Sequence, residues 1–539
     1  MSTPVPERLD LGQLRRQAKE LRDAAHRGDT DAAERIARHH RATRQGPIPL
    51  AVAQLVIARE QGFPSWPRLK AALDADAGTR RALEDFLDAS VEGRMRQAGG
   101  IVRADPGLAG RSLRAAAVLG DVQAARELLR ADPAAASAID DRGWPPLLYA
   151  CYSRWHQADP SRAPQIAAVV RLLLEGGASP NTSNGAQRGY RSALTGSIEV
   201  NNPEVTQALL EAGASPDDRQ TIGWAAFCGY HRCVELLLAH GARVAGTWAV
   251  DGAVGGDDAG LVALLLARLQ TSTGQASQKA TELLAEAAAS ASLPVVDVLL
   301  EAGADPDARD EDGVSAVRRA VRAGQDETAA RLRGVGSVDD ATAVDQFIGA
   351  CLNADRDRAE RLLSGHPGLR DRLDEQDRAV IVQAAASRPA ATIALMCDLG
   401  FSPQASSGEG SGWGEQPLHS AAYNGNVDVV RFLIEAGAEV DARDGRFDAT
   451  PLCYATVGSR EQAGKPGDWV QTVCLLIEAG ASREGVWVPG KPPSEDVMDV
   501  LRGYGITPGQ SPESPEHERD ADPEANAGTD VDAGGHGHR

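Results

Sequence analysis

The chain has 539 residues, a formal net charge of −20 and only 4% aromatic residues. That charge disfavours generic attraction to nucleic acid or anionic lipid, and no window approaches eighteen uncharged apolar residues, so no membrane span is expected. Seven cysteines without regular spacing do not make a disulfide framework.

Abundant Ala, Leu, Gly and Val beside few aromatics suit many thin helical layers better than one thick core. The excess of 51 Arg over 5 Lys carries no functional reading. The first residues, MSTPVPERLDLGQL, lack a basic region followed by an apolar one. No secretory leader is therefore expected, and the location expected is reducing and cytoplasmic.

Residues 1–76 read as a basic helical module, with 13 Lys/Arg against 8 Asp/Glu through residue 73. Leu11, Leu14, Ala18 and Leu21 fall on one helical face, and Asp29 or Thr30 can cap a second helix. Pro47 and Pro49 interrupt before AVAQLVIAREQGF resumes a helical pattern. Ser65 then stands as an N-cap, with Pro67 in a first turn where its missing N–H costs nothing. Arg15, Lys19 and Arg22 share one face, followed by Arg35, Arg38, Arg41 and Arg44. Glu20, Asp23, Asp29 and Asp31 are interleaved, and stacking aromatics are absent. A solvated, salt-bridged face is the simpler reading than nucleic-acid contact.

From residue 84 the string L-L-x-x-G-A recurs, with glycines at Gly177, Gly213, Gly241, Gly303, Gly437 and Gly480. The intervals are 36, 28, 62, 134 and 43 residues, and the long ones divide into units of about 31–33. Degenerate units such as LVALLLARLQ (261–270) and ALMCDLGFSP (394–403) fill the gaps. A period near 33 therefore runs through most of 84–508.

The clearest unit is SGWGEQPLHSAAYNGNVDVVRFLIEAGAEVDARD, residues 411–444. Pro417 pre-sets the first turn of a short helix whose apolar face is Leu418, Ala421 and Ala422. Gly425 permits a tight reversal, and Val429, Val430, Leu433 and Ile434 give the next helix its apolar face. Gly437 suits the left-handed position that ends it.

This unit resembles the ankyrin repeat, whose signature includes T-P-L-H-x-A at this period. The likeness is good at 140–178, 184–217, 218–245, 276–309 and 444–481, and weak at 84–110, 246–274, 310–338 and 343–406. It implies an all-α ankyrin-repeat solenoid of helix–turn–helix units with projecting hairpin turns, some eleven to thirteen of them. GGIVRADPGLAGR (99–111) and ELLRADPAAASAI (127–139) open the array, and RLLSGHPGLRDRL (361–373) repeats their helix and D/H-P turn. The array is thus expected as two sub-arrays, 84–338 and 343–508, meeting near 335–343. Residues 509–539 hold eight acidic residues and no large apolar side chain but Val531. They read as an acidic, disordered tail.

Chemistry-bearing motifs are weak. GSREQAGKP (458–466) has one residue too many between its glycines for a phosphate loop, and Pro466 stands where Ser or Thr is required. It reads as an insertion between two helices. GAVGGDDAG (252–260) reads as a loose helix–helix turn. Cys228, His231 and Cys233 lack zinc-knuckle spacing, and Cys233 falls on a buried helix face. His536 and His538 sit without preorganised geometry. The resemblance gives His419 a structural place bonding neighbouring backbone. No catalytic residue, cofactor, metal or small-molecule ligand is expected.

Ankyrin-like arrays present their hairpin tips and exposed first-helix ends along a concave surface. This register places Arg142, Trp144, Tyr152, Tyr190, Arg191, Trp413, Glu415, Tyr423 and Asn424 there. Two insertions, 154–165 and 459–469, bring Trp155 and Trp469. Tyr and Trp dominate binding hot spots, and insertions on rigid scaffolds commonly carry recognition. The alternative for each aromatic is packing on a neighbouring loop. The function expected is a protein-binding scaffold, adaptor or regulator whose partner the sequence does not identify. Nucleic-acid contact by the basic module comes second, and an enzyme with a dispersed site third.

Overall fold

The computed structural model describes residues 10–40, 47–184, 191–217, 221–408, 414–462, 465–486 and 492–506. Tyr190, Trp413 and the acidic tail expected at 509–539 lie outside the described residues. The chain folds as two compact units, Met1–Ala214 and Ser215–Arg539. Among the described residues there is no strand, only isolated bridges pairing Ser183 with Ser192 and Arg309 with Ser315.

The first unit begins with the helices Leu11–His26, Thr30–His39 and Leu50–Glu60 and the start of the long helix Trp66–Glu92. Asp10 and Asp29 cap the first two by accepting backbone N–H groups, which leave helix starts otherwise unpaired. Leu14, Ala18, Leu21, Ile36, Val56, Ile57 and Leu69 close a small core of their own. Two of its basic residues are engaged with acidic neighbours at short range: Arg35 binds Glu60 with two hydrogen bonds of 3.0 and 2.8 Å, and Arg22 pairs with Asp23 at 2.7 Å. The last helix of this group runs without a break through residues 76–84.

Beyond it come helix pairs: Leu113–Leu119 with Val122–Ala131, Pro146–Cys151 with Arg162–Glu175, and Ala193–Glu199 with Pro203–Glu211. The paired helices contact one another and the chain reverses between them, over a short connection in the first and third pairs and over residues 152–161, which include the helix Trp155–Ala158, in the second. The first helices are short and rich in buried Ala, Leu and Ser, so that neighbouring repeats approach closely. The second helices bury an i, i+3, i+4 stripe, as Ile166, Val169, Val170 and Leu173 do. In the D-P turn after Val122–Ala131 the aspartate caps a short 3₁₀ segment: Asp132 accepts from the N–H of Ala134 at 3.1 Å.

In the second unit the pairs run from Thr221–Phe227 with His231–Ala239 to Pro451–Glu461 with Trp469–Glu478, and Glu495–Gly503 covers the end. All the weakly patterned segments form helix pairs as well, including Ala316–Arg322 with Asp326–Gly334 and Glu375–Ser387 with Ala390–Asp398. Leu418, Ala421, Ala422, Val429, Val430 and Leu433 are all buried, as the pattern requires. Gly425 and Gly437 take φ of +64° and +83°, the left-handed region.

One local expectation holds only in part. In GAVGGDDAG, Gly252–Gly255 lie inside the helix Ala249–Gly255, and the helix–helix turn is confined to residues 256–258 before Ala259–Thr273. Gly252 is there for contact: a Cβ would come within 2.5 Å of the Gly223 carbonyl on the preceding first helix. The segment 335–343 is tied down within this unit. Ser337 donates to the Pro306 carbonyl at 2.7 Å, and Arg309 pairs with Asp340 at 2.7 Å. Asp345, just beyond, caps its own helix with Thr342 and accepts Arg318 at 2.8 Å.

Candidate partner-binding surface

In the first unit the site grows from one aspartate. Asp140 Oδ1 accepts the N–H groups of Arg142 and Trp144 at 3.0 and 2.8 Å, and Gly143 takes φ +78°. This fixes a tight projecting turn. The other oxygen accepts the Tyr149 hydroxyl at 2.6 Å, which locks the turn onto the first helix below it. Trp144 then rests on the rings of Tyr149 and Tyr152, at centroid distances of 5.1 and 5.3 Å. Arg191 lies over the rings of Trp144 and Tyr152 at 5.9 and 5.2 Å, a cation–π arrangement.

The sequence-derived residues divide here. Arg142 is exposed and paired with Asp88 at 2.9 Å; Trp144 and Arg191 are half-buried. Tyr152 is not solvent-facing, with 1% of its surface exposed. Its ring lies where a Cβ on Gly196 would be, so the next repeat closes over it. Trp155 is half-buried as well. Its indole N–H donates to Ser90 at 3.0 Å and its ring carries Arg162 at 5.1 Å, so it seats the insertion on the long helix. Burial pushes the Glu199 carboxyl above its ordinary range, with Arg191 and Arg154 opposing.

Near the other end, Glu415 accepts the Tyr454 hydroxyl at 2.9 Å and Tyr423 donates to Glu461 at 3.0 Å. Asn424 bonds back to the Ser420 carbonyl at 2.9 Å. All three sequence-derived residues are half-buried and engaged within or between neighbouring repeats. Burial raises the Glu415 carboxyl and the Tyr423 and Tyr454 hydroxyls. His419 has the structural place expected: Nδ1 accepts the Gln416 N–H at 3.2 Å and Nε2 faces the Ala442 carbonyl at 3.0 Å. Trp469 is also engaged, donating to the Tyr423 carbonyl at 2.9 Å.

The residue-by-residue register missed a group of three exposed aromatic residues. Trp224, Phe227 and Trp248 are 43%, 39% and 37% exposed. Trp224 and Phe227 stand 5.9 Å apart on the helix Thr221–Phe227. The Trp248 ring covers Gly223, and Phe227 abuts Gly255. Gly252 and Gly256 let the two helices touch along their backbones, and Gly223 leaves the space that the Trp248 ring fills. The available signal was W-x-x-F beside a G-x-x-G helix, which the weak repeat match in 246–274 obscured.

No group of three His, Cys, Asp or Glu able to hold a metal occurs among the described residues. None of their helices is long and apolar enough to cross a membrane. Cys233 is buried and Cys228 half-buried.

Stacked short-and-long helix pairs with projecting turns define a helical-repeat protein. A family model described as ankyrin repeats (3 copies) matches residues 347–463, and one described as ankyrin repeats (many copies) matches 284–332. The chain is an ankyrin-repeat protein. It is 44% identical over 64 residues to palmitoyltransferase Hip14 of Drosophila melanogaster, which is 12% of this chain and 9% of that one. It is 42% identical over 48 residues to the NF-kappa-B inhibitor cactus of Drosophila yakuba, 9% of this chain and 10% of that one. The chain thus spans about a tenth of either relative. The crystal structure of the human ASB11 ankyrin repeat domain is 21% identical, with TM-score 0.34, over 42% of this chain and 98% of that one.

Proposed function

We propose that this chain is a non-catalytic scaffold or regulator that binds a partner protein on the face formed by its hairpin turns and first helices. The observation that carries this is the exposure of Trp224, Phe227 and Trp248 together in a chain with only 4% aromatic residues. Part-exposed rings already packed on one another and on glycine positions are pre-organised, so docking against them orders few side chains. Arg142 and Trp144 on their braced turn, with Arg191 behind, form a second anchor of the type enriched at hot spots. The resemblance to a stretch of an inhibitor protein is in keeping with a regulatory role. Its setting, on this reading, is cytoplasmic, where the seven cysteines remain thiols.

Affinity capture with the wild-type chain and with Trp224→Ala, followed by mass spectrometry, tests the reading. A partner retained by the wild type and lost from the variant, at equal thermal stability, supports it. Retention of every captured protein by both Trp224→Ala and Trp144→Ala would remove the aromatic face from the account.

A further inference from the structure

The second unit contains a cleft of about 330 Å³ among the ends of its first helices, lined by Arg319, Arg322 and Arg388 with Ser290, Gln383 and Ser387 as further polar groups. It lies where the stacking of first helices loosens. Ala316–Arg322 packs on Ala343–Leu352 and Glu375–Ser387 packs on Pro417–Tyr423, but Ala343–Leu352 and Glu375–Ser387 do not meet as closely. The gap is bridged by arginines. Arg322 reaches Asp377 at 2.6 Å and Asp345 at 3.5 Å, and Arg388 donates to the Ala323 carbonyl at 3.1 Å.

The charges are layered. Asp345 and Asp377 are buried, with side chains 1% and 8% exposed, whereas Arg322 keeps 28%. Their negative charge is spent inward on Arg318 and Arg322. Arg319 is matched by Asp310 and Asp312, neither of which lines the cleft. Arg388 has no carboxylate partner among the described residues, and no carboxylate lines the cleft. Its fork of N–H donors, one of them already fixed on Ala323, leaves the others directed for a planar acceptor.

We propose that this cleft receives the carboxylate of a Glu or Asp side chain from an extended acidic segment of the partner protein, with Arg388 as its principal donor. One unmatched guanidinium suits one singly charged group; a doubly charged phosphate would leave half its charge unmatched. Gln383 and Ser387 are neutral polar groups for the adjoining peptide backbone, and Ser290, whose hydroxyl donates to the Glu286 carbonyl at 2.9 Å, presents an acceptor. The proposal rests on the protein-binding reading above and adds the chemistry of one contact to it.

The probe is a dye-labelled peptide of alternating Glu, Gly and Ser, with a Gln-for-Glu control, titrated by fluorescence anisotropy into the full chain at low and high salt. The Glu peptide should bind, weaken with salt, and exceed the Gln peptide. Arg388→Gln should weaken it about tenfold or more in a chain that stays folded, with a melting temperature lowered only slightly by loss of the Ala323 bond, and Arg388→Lys should restore part of the lost binding. Equal binding of both peptides, or no effect of Arg388→Gln, overturns the proposal. So does a Glu peptide that binds only after residues 507–539 are removed, because the chain's own acidic segment would then be the occupant. A captured partner lost from Trp224→Ala but indifferent to Arg388→Gln would sink this contact alone and leave the aromatic face standing.

Discussion

The ring of Tyr152 lies directly on Gly196, in the space a Cβ would need. The contact joins the first helices of two neighbouring repeats and explains why Tyr152 is buried at the end of its helix. Gly196→Ala therefore has two opposed effects. Alanine is favoured over glycine inside a helix by about 1 kcal/mol, but overpacking a closed contact costs about 1–3 kcal/mol. A net loss, read as a lower urea midpoint with Tyr152 intact, is expected; in a Tyr152→Ala background the added cost of Gly196→Ala should be smaller or reversed.

Trp144 and Tyr152 touch one another but should respond differently. Tyr152→Ala deletes a buried ring and is expected to lower stability by about 3–5 kcal/mol. Trp144 is half-buried on its turn, so Trp144→Ala should cost less in stability and, if it is an anchor, weaken partner binding by about 2 kcal/mol. Denaturant titration beside a binding titration separates the two.

Leu433 has no exposed surface and sits in the core shared by successive repeats. Leu433→Ala should destabilise by about 2–5 kcal/mol. A loss below about 1 kcal/mol would mean the repeats there do not share that core.

Asp345 tests the segment at 335–343. Burial tends to raise its carboxyl, but Thr342 and Arg318 outweigh that and hold it below the ordinary carboxylate range. A depressed folded-state pKa contributes stability above the unfolded value of about 4, lost as pH falls through the folded one. Asp345→Asn leaves Arg318 without its buried partner and Arg322 with Asp377 alone, and a loss of roughly 3 kcal/mol is expected. Hydrogen exchange should show the extra opening centred on 335–352. A division of the array into 84–338 and 343–508 predicts that opening separates the two sides there.

His156 and His419 give the opposite half of the pH scale. Burial is the largest influence on both and lowers them below 6.5, although backbone carbonyls beside each act to raise them. The unfolded chain then binds more protons below that value, so stability is full above it and falls as pH drops. The melting temperature should decrease from pH 8 to pH 5, and the decrease should be smaller in His419→Gln.

The repeat itself was legible in the sequence because its causes are local. Gly425 and Gly437 must turn the chain, Pro417 must start a helix, and Val429, Val430 and Leu433 must share a face; φ limits and a 3.6-residue period dictate all three. His419 was legible through the resemblance to the ankyrin repeat and not from local pattern. The surface was not. Tyr152 sits in a register position that reads as exposed, and only the arrival of Gly196 from the next repeat buries it. Gly252 reads as a turn residue, and only its approach to Gly223 reveals the helix contact beside which Trp224, Phe227 and Trp248 stand. The cleft beside Arg388 depends on two helices that fail to stack and on Asp345 and Asp377 facing inward. Local pattern decides which residues make a repeat; which rings and charges remain uncovered is decided by how closely neighbouring backbones approach, and that is a property of pairs of repeats.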